Sequence, residues 1–200
     1  ITSLMAREVL KNNPGAKIVV DIRYTHNVQN VVKKYGGTSF ISKVGHAFIT
    51  EDVNREGAYF AGESSGHFYF GATGGAESAV RVILAVLQAM TEEGKPISQI
   101  LAELHTSFES GERNFVLPSE VNAKSITDQL TQKYTEAQVS TLDGVSLDFP
   151  EWRCNIRSSN TEPLLRLNVE AEGESFMEEK FKELTDFILA TGATLKSAAH

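Results

Sequence analysis

The feature that most constrains this chain is a change in apolar periodicity near residue 107. Upstream of it, short apolar runs alternate with helical patterns. "KIVVDI" (17–22) is a continuous apolar run of the kind found in strands buried on both faces. "NVQNVVKKYGG" (27–37) then places apolar residues at 28, 31, 32 and 35 before stopping at glycines. "TSFIS" and "AYFAG" read as strands, with "HAFITEDVNREG" a helix between them. "ESAVRVILAVLQAM" (77–90) is the longest apolar helix pattern, and "PISQILAELHTSF" adds another behind Pro96. Strands alternating with helices predict a layered α/β domain with a mainly parallel sheet over residues 1–106.

Downstream the pattern turns strand-rich. "SFESGERNFVLPSE" (107–120) reads as a polar linker merging into a first strand, and "KSITDQLTQKY" as a helix. "AQVSTL", "VSLDF", "WRCNI" and "LLRLNVEA" are strand-like, and Asp143-Gly144 between the first two signals a hairpin. "SFMEEKFKELTDFILATG" closes the pattern as an amphipathic helix ending at Gly192. Residues 107–200 therefore predict a smaller α+β domain, an antiparallel sheet with two helices.

The bulk properties narrow the function classes. A formal charge of −7 argues against nucleic acid or an anionic membrane surface as the main partner. The lone Cys154 excludes an internal disulfide and a cysteine-based zinc site, and its place in a strand-like run reads as a buried, inert thiol. No apolar run reaches the ~18–20 residues a membrane helix needs, and no signal peptide opens the chain, so a cytoplasmic location is expected. The sequence begins without methionine, directly in a helical pattern, as a chain cut at a domain boundary would.

Four loops carry candidate chemistry. "GESSGH" (62–67) sets Glu63, Ser65 and His67 at a strand end, the edge where open α/β sheets bind ligands. A carboxylate beside hydroxyls can grip vicinal hydroxyls of a polyol; the alternative is a glycine-rich turn with a solvated glutamate. "SKVGHAF" (42–48) puts Lys43 and His46 at a strand-to-helix junction. His46 is placed either to exchange protons near neutral pH or to serve as a capping or partly buried structural group. "DIRYTHN" (21–27) brings Arg23 to the same edge, where a surface arginine is the plainer reading. His46, His67 and Glu63 lack the spacing that would support a metal site.

The fourth loop is "RSSNTEPLLRL". Arg157, Ser158, Ser159, Asn160 and Thr161 are five consecutive polar donors, and Arg166 on the following strand can add a second cation. Serine, asparagine and proline also form plain turns, yet donors bracketed by arginines favour an anion seat. No glycine-rich nucleotide loop is present, so a simple phosphoester is the expected anion.

With both loops in view, the chain resembles the C-terminal half of the α-D-phosphohexomutases, the phosphomannomutase/phosphoglucomutase family. "GESSGH" is similar to the sugar-binding loop of the family's third domain, and "RSSNTEPLLRL" to the phosphate-binding loop of its fourth. "VGHAFI" matches a Gly-His segment whose histidine, here His46, lies seventeen residues ahead of the loop glutamate Glu63. "DIRYTHNV" resembles the end of the third domain's first strand.

The resemblance implies an enzyme that interconverts hexose 1-phosphate and hexose 6-phosphate through a phosphoserine and a bisphosphorylated sugar. It implies that Glu63 and Ser65, with His67 and Lys43 beside them, bind the sugar. Arg157, Ser158, Ser159, Asn160, Thr161 and Arg166 would hold the phosphate not being transferred. His46 and Arg23 would stand near the reacting end; some members carry lysine where Arg23 stands, and arginine is a poor proton donor, so Arg23 is assigned electrostatics only.

The family's phosphoserine loop and its Asp-Gly-Asp-x-Asp magnesium loop are absent from these residues. Mg2+, hexose 1,6-bisphosphate and N-terminal domains are thus expected of a full-length enzyme, with no metal ligands here and an inactive isolated fragment. Glucose or mannose 1- or 6-phosphate are the expected ligands. A phosphoglucosamine mutase fragment and a non-catalytic sugar-phosphate-binding protein are the alternatives.

Overall fold

A computed structural model of the chain describes residues 1–159 and 162–196. It divides into two compact units, Ile1–Thr106 and Ser107–His200.

The first unit runs α1 (Thr2–Asn12), β1 (Lys17–Asp21), α2 (His26–Lys34), β2 (Thr38–Ser42), α3 (His46–Glu56), β3 (Phe60–Gly62), β4 (Phe68–Phe70), β5 (Ala76–Glu77), α4 (Ala79–Glu93) and α5 (Ile97–Leu104). The sheet order is β2-β1-β3-β4-β5. β1 pairs in parallel with β2 and β3, whereas β4 and β5 extend the sheet antiparallel. The sheet is therefore mixed, with its parallel strands at one side. Alternation along β1 explains why its run is apolar throughout. Ile18 and Val20 pack with Leu4, Val31 and Ile100 on one face, while Val19 joins Ile49, Val53 and Tyr69 on the other. Helices thus cover both faces of the sheet.

The helix read from Glu77 begins later. Glu77 pairs with Tyr69 as a strand residue, and Ser78 caps α4, its Oγ accepting from the Arg81 N–H at 3.3 Å. On α4, Val80, Ile83, Leu84 and Leu87 are exposed.

The second unit runs β6 (Phe108–Glu109), β7 (Arg113–Val116), α6 (Ala123–Lys133), β8 (Gln138–Ser140), β9 (Val145–Asp148), β10 (Trp152–Ser158), β11 (Leu164–Ala171), α7 (Glu174–Leu189) and β12 (Thr194–Leu195). All its strand pairs are antiparallel, in the order β12-β7-β11-β10-β9-β8 with β6 also on β11. The polar stretch read as a linker is already sheet. Ser107 is fully buried, and the Ser110 N–H donates to the Val169 carbonyl at 2.9 Å. Backbone pairing with β11, invisible in composition, fixes this segment.

Trp152, Cys154 and Ile156 of β10 face α6 and α7 in the core. The opposite face is polar and, except at the partly exposed Arg166, buried: Arg153, Asn155 and Arg157 stand across from Glu170, Asn168 and Arg166 of β11. Arg153 donates to Asp148, Glu170 and Ser146 at 2.5, 3.1 and 3.2 Å, so the buried charge is paired.

Candidate functional site

In the first unit the candidate residues collect where β1 and β3 end. The loop after β3 is closed by Glu63 N–H to the His67 carbonyl at 2.9 Å, and turns at Gly66, whose φ is +88°. The Glu63 carboxylate is only 6% exposed, so it is not a solvated turn residue. It accepts from the Tyr69 hydroxyl at 3.1 Å, the Gly45 N–H at 3.2 Å and the Ser65 hydroxyl at 3.3 Å. The Arg23 guanidinium stands 4.0 Å away.

Arg23 is not a loose surface group. The fully buried Asp21 takes its Nε and Nη2 at 3.0 Å each and its backbone N–H at 2.8 Å. Asp21 also accepts from the Ser64 N–H at 2.6 Å, tying the first strand to the loop. From this anchor Arg23 Nη2 reaches the Ser65 hydroxyl at 3.3 Å.

His46 opens α3 and His67 precedes β4, and one carboxylate holds both. His46 Nδ1 lies 2.8 Å from Glu77 Oε1, and His67 Nδ1 lies 3.1 and 3.2 Å from the two Glu77 oxygens. Burial opposes ionisation of Glu77, but the hydrogen bonds from His67 and His46 outweigh it and the carboxyl sits below its ordinary value. The His46 ring packs edge-on against Tyr69 at 5.2 Å. Burial, with Glu63 and Glu77 as neighbours, pushes the Tyr69 phenol well up, keeping it a hydrogen-bond donor.

Arg23, His46, Glu63, Ser65 and His67 are thus brought together. Lys43 is placed differently, exposed with its ammonium over the Phe48 ring at 5.5 Å. Sequence reasoning missed Asp21, Tyr69 and Glu77. For Asp21 a signal existed: a carboxylate inside a doubly buried strand run needs a partner.

In the second unit Arg157, one residue before the end of β10, lies directly across from Arg166 on β11. Two like charges in register repel unless something intervenes, and Glu112 does. Its oxygens lie 3.1 Å from Arg157 Nη2 and 3.2 Å from Arg166 Nη1. Ser158 is exposed; the Ser159 N–H donates to the Leu164 carbonyl at 2.8 Å, and its hydroxyl accepts from the Glu162 N–H at 3.3 Å. Asn160 and Thr161, also expected in the anion seat, lie outside the described residues. Beside Arg157 and Ser158 a cavity of about 310 Å³ reaches the first turn of α6, where Asn122 caps the Lys124 N–H at 2.8 Å. Glu112 was missed because it falls in the stretch read as a linker.

Among the described residues, no group of three or more histidine, cysteine, aspartate or glutamate side chains is arranged to hold a metal. None of the described helices is long and apolar enough to cross a membrane.

Comparisons with known proteins agree in both units. Residues 1–108 match the model of phosphoglucomutase/phosphomannomutase alpha/beta/alpha domain III, and residues 119–186 that of the phosphoglucomutase/phosphomannomutase C-terminal domain. The chain is 39% identical over 195 residues to a phosphomannomutase of Methanocaldococcus jannaschii, covering 98% of this chain and 43% of that protein. It is 39% identical over 175 residues to a phosphomannomutase of Escherichia coli K12, covering 87% of this chain and 38% of the relative.

Among solved structures, a phosphoglucomutase/phosphomannomutase family protein of Burkholderia thailandensis superposes with a TM-score of 0.73 at 28% identity, over 97% of this chain and 42% of that one. The Paramecium phosphoglucomutase parafusin shares the fold at a TM-score of 0.71 and 15% identity, over 98% of this chain and 43% of that one. The chain spans less than half the length of the curated relatives it matches. It belongs to the phosphoglucomutase/phosphomannomutase family and carries that family's domain III and C-terminal domain.

Proposed function

We propose that this chain is the substrate-recognition half of a phosphohexomutase that interconverts hexose 1-phosphate and hexose 6-phosphate. The observation that carries the reading is the gathering of Glu63, Ser65, Arg23, His46 and His67 at one sheet edge, with Glu63 buried and ringed by donors. A buried carboxylate and a hydroxyl side by side suit the vicinal hydroxyls of glucose or mannose. Arg157 and Arg166, with Ser158, Ser159, Asn160 and Thr161, would hold the phosphate that is not being transferred.

Phosphoryl transfer depends mainly on positioning and electrostatic stabilisation. In the proposed scheme a phosphoserine elsewhere in the enzyme phosphorylates the sugar. The hexose 1,6-bisphosphate then turns end for end and returns the other phosphoryl group. Gripping hydroxyls and one phosphate suits both orientations, because each presents the same two kinds of group. Arg23, held by Asp21, contributes positive charge near the reacting end, and His46 a proton-exchanging imidazole. The magnesium that the family resemblance implies finds no ligand set among the described residues. The cytoplasm is the proposed location.

The test is an amide NMR titration with glucose 6-phosphate and mannose 6-phosphate, with Arg157→Ala as control. Shifts at Gly62–His67 and at Arg157–Ser159 are expected, the second set lost in the variant. Silence of both loops at millimolar ligand would overturn the reading for this chain.

A further inference from the structure

Glu77 is neither part of the hydroxyl-binding loop nor of the anion seat, yet its carboxylate receives Nδ1 of two histidines from different segments. The contacts are 2.8 Å to His46, which opens α3, and 3.1 Å to His67, which precedes β4. Glu77 is set in place by the sheet, since it pairs with Tyr69 across β4 and β5. The two histidine side chains remain 64% and 52% exposed, whereas Glu77 is 37% exposed.

An ionised carboxylate can only accept, so each Nδ1 that contacts it must carry hydrogen. A neutral imidazole has one N–H. Committing it to Glu77 leaves each Nε2 as the bare, basic nitrogen on a ring still open to solvent. A neutral imidazole without such a partner is free to place its hydrogen on Nε2, and there it would donate instead of accept. The choice of tautomer thus decides whether these rings receive hydrogen bonds from ligand hydroxyls or compete with them.

We propose that Glu77 is a positioning residue that fixes His46 and His67 together as Nδ1–H tautomers, presenting two Nε2 acceptors to a hydroxyl-rich ligand. The ligand class rests on the sugar-phosphate reading above; the tautomer assignment does not. His67 thereby joins His46 as one unit under shared control. Either Nε2 can accept a hydroxyl hydrogen, or take up its proton when that oxygen becomes a nucleophile. Tyr69 supports the arrangement from behind, its ring against His46 and its hydroxyl on Glu63 at 3.1 Å.

The experiment is 15N NMR of the histidine ring nitrogens in the ligand-free chain, on the alkaline side of the ordinary histidine value of about 6.5. Wild type is compared with Glu77→Gln and Glu77→Leu. In wild type both rings are expected to show the Nδ1–H pattern. In Glu77→Leu both should move to the Nε2–H pattern. Glutamine has one carbonyl acceptor and an NH2 donor, so in Glu77→Gln one ring should keep Nδ1–H while the other switches. This variant is near-isosteric and keeps the test open if the leucine variant fails to fold.

A wild type with Nε2–H rings, or tautomers unchanged in both variants, would overturn the proposal. Titrating the same samples with glucose 6-phosphate separates the two readings. Correct tautomers without loop shifts would sink the sugar-phosphate reading alone. Loop shifts of equal size in wild type and Glu77→Gln would sink the role of Glu77 in ligand binding.

Discussion

Gly144→Ala is the substitution from which the structure yields the sharpest expectation. Gly144 turns the β8–β9 hairpin at φ +69°, a conformation costing an L-residue about 1–2 kcal/mol. A Cβ there would also meet the Ile156 carbonyl oxygen at 2.2 Å and the Arg157 Cα at 2.7 Å. Both are backbone atoms of β10 and cannot rotate away, so overpacking adds about 1–3 kcal/mol. The total is about 2–5 kcal/mol, a large share of the ~5–15 kcal/mol typical of a domain.

Gly111→Ala supplies the control, because Gly111 has φ +71° in the same unit with nothing within 4 Å of its would-be Cβ. It should lose only the conformational part. Trp152 is the chain's single tryptophan, sits in the second unit's core and is 5% exposed, so its fluorescence in urea reads this unit. Equal losses in the two variants would refute the steric argument. The same push falls on the backbone of Arg157, so phosphate-induced shifts at that residue should weaken in Gly144→Ala and persist in Gly111→Ala.

Glu112→Gln removes the carboxylate shared by Arg157 and Arg166; inorganic phosphate should then bind roughly tenfold tighter by calorimetry, about 1.4 kcal/mol, and unchanged affinity would show that Glu112 does not compete. Glu183 is drawn down to about 2, first by the hydrogen bond from Lys133 and against burial, with Tyr134 and Lys180 adding to it. Its folded value lies below the ordinary 4.5, so its stabilisation is present above about pH 4.5 and lost as pH falls toward 2. The stability gap between wild type and Glu183→Gln should accordingly close across that window in urea titrations, and a gap independent of pH would refute the assignment. Burial pushes the Cys154 thiol up to about 12, so an aromatic disulfide reagent should label it only after unfolding; prompt labelling of the native chain would contradict its burial.

The elements readable in the sequence were those whose local pattern and tertiary setting agree. The run Ile18–Val20 is apolar at every position because helices cover both sheet faces, and Asp143-Gly144 marks a turn that Gly144 makes at positive φ. Glu63, Ser65 and His67 stood out because glycines isolate them at a strand end. The rest depended on partners distant in sequence. Glu77 looks like the start of α4, since Glu-Ser-Ala-Val suits a helix entrance; only pairing with Tyr69 makes it a strand residue aimed at two histidines. Ser110 and Glu112 look like linker residues because their hydrogen bonds and ion pairs go to β11 and Arg157. Asp21 was readable as an anomaly, but its guanidinium partner two residues on was not, because that contact depends on how the chain turns after β1.

The contacts of the first unit's cluster differ widely in sequence span. Glu63 closes on His67 within one tight turn, but Ser64 reaches back 43 residues to Asp21, His46 reaches 31 to Glu77, and Gly45 reaches 18 to Glu63. Closing such loops costs chain entropy that grows slowly with their length. The β3–β4 hairpin alone, detached from β1 and from α3, would therefore carry the right side chains without a site. Any opening that separates β1 from β3 dissolves the cluster even while the hairpin stays zipped. A ligand held by the cluster is consequently a clasp across three distant stretches of chain. Its binding energy should appear as slowed hydrogen exchange along the β1–β3 seam, far from any atom the ligand touches.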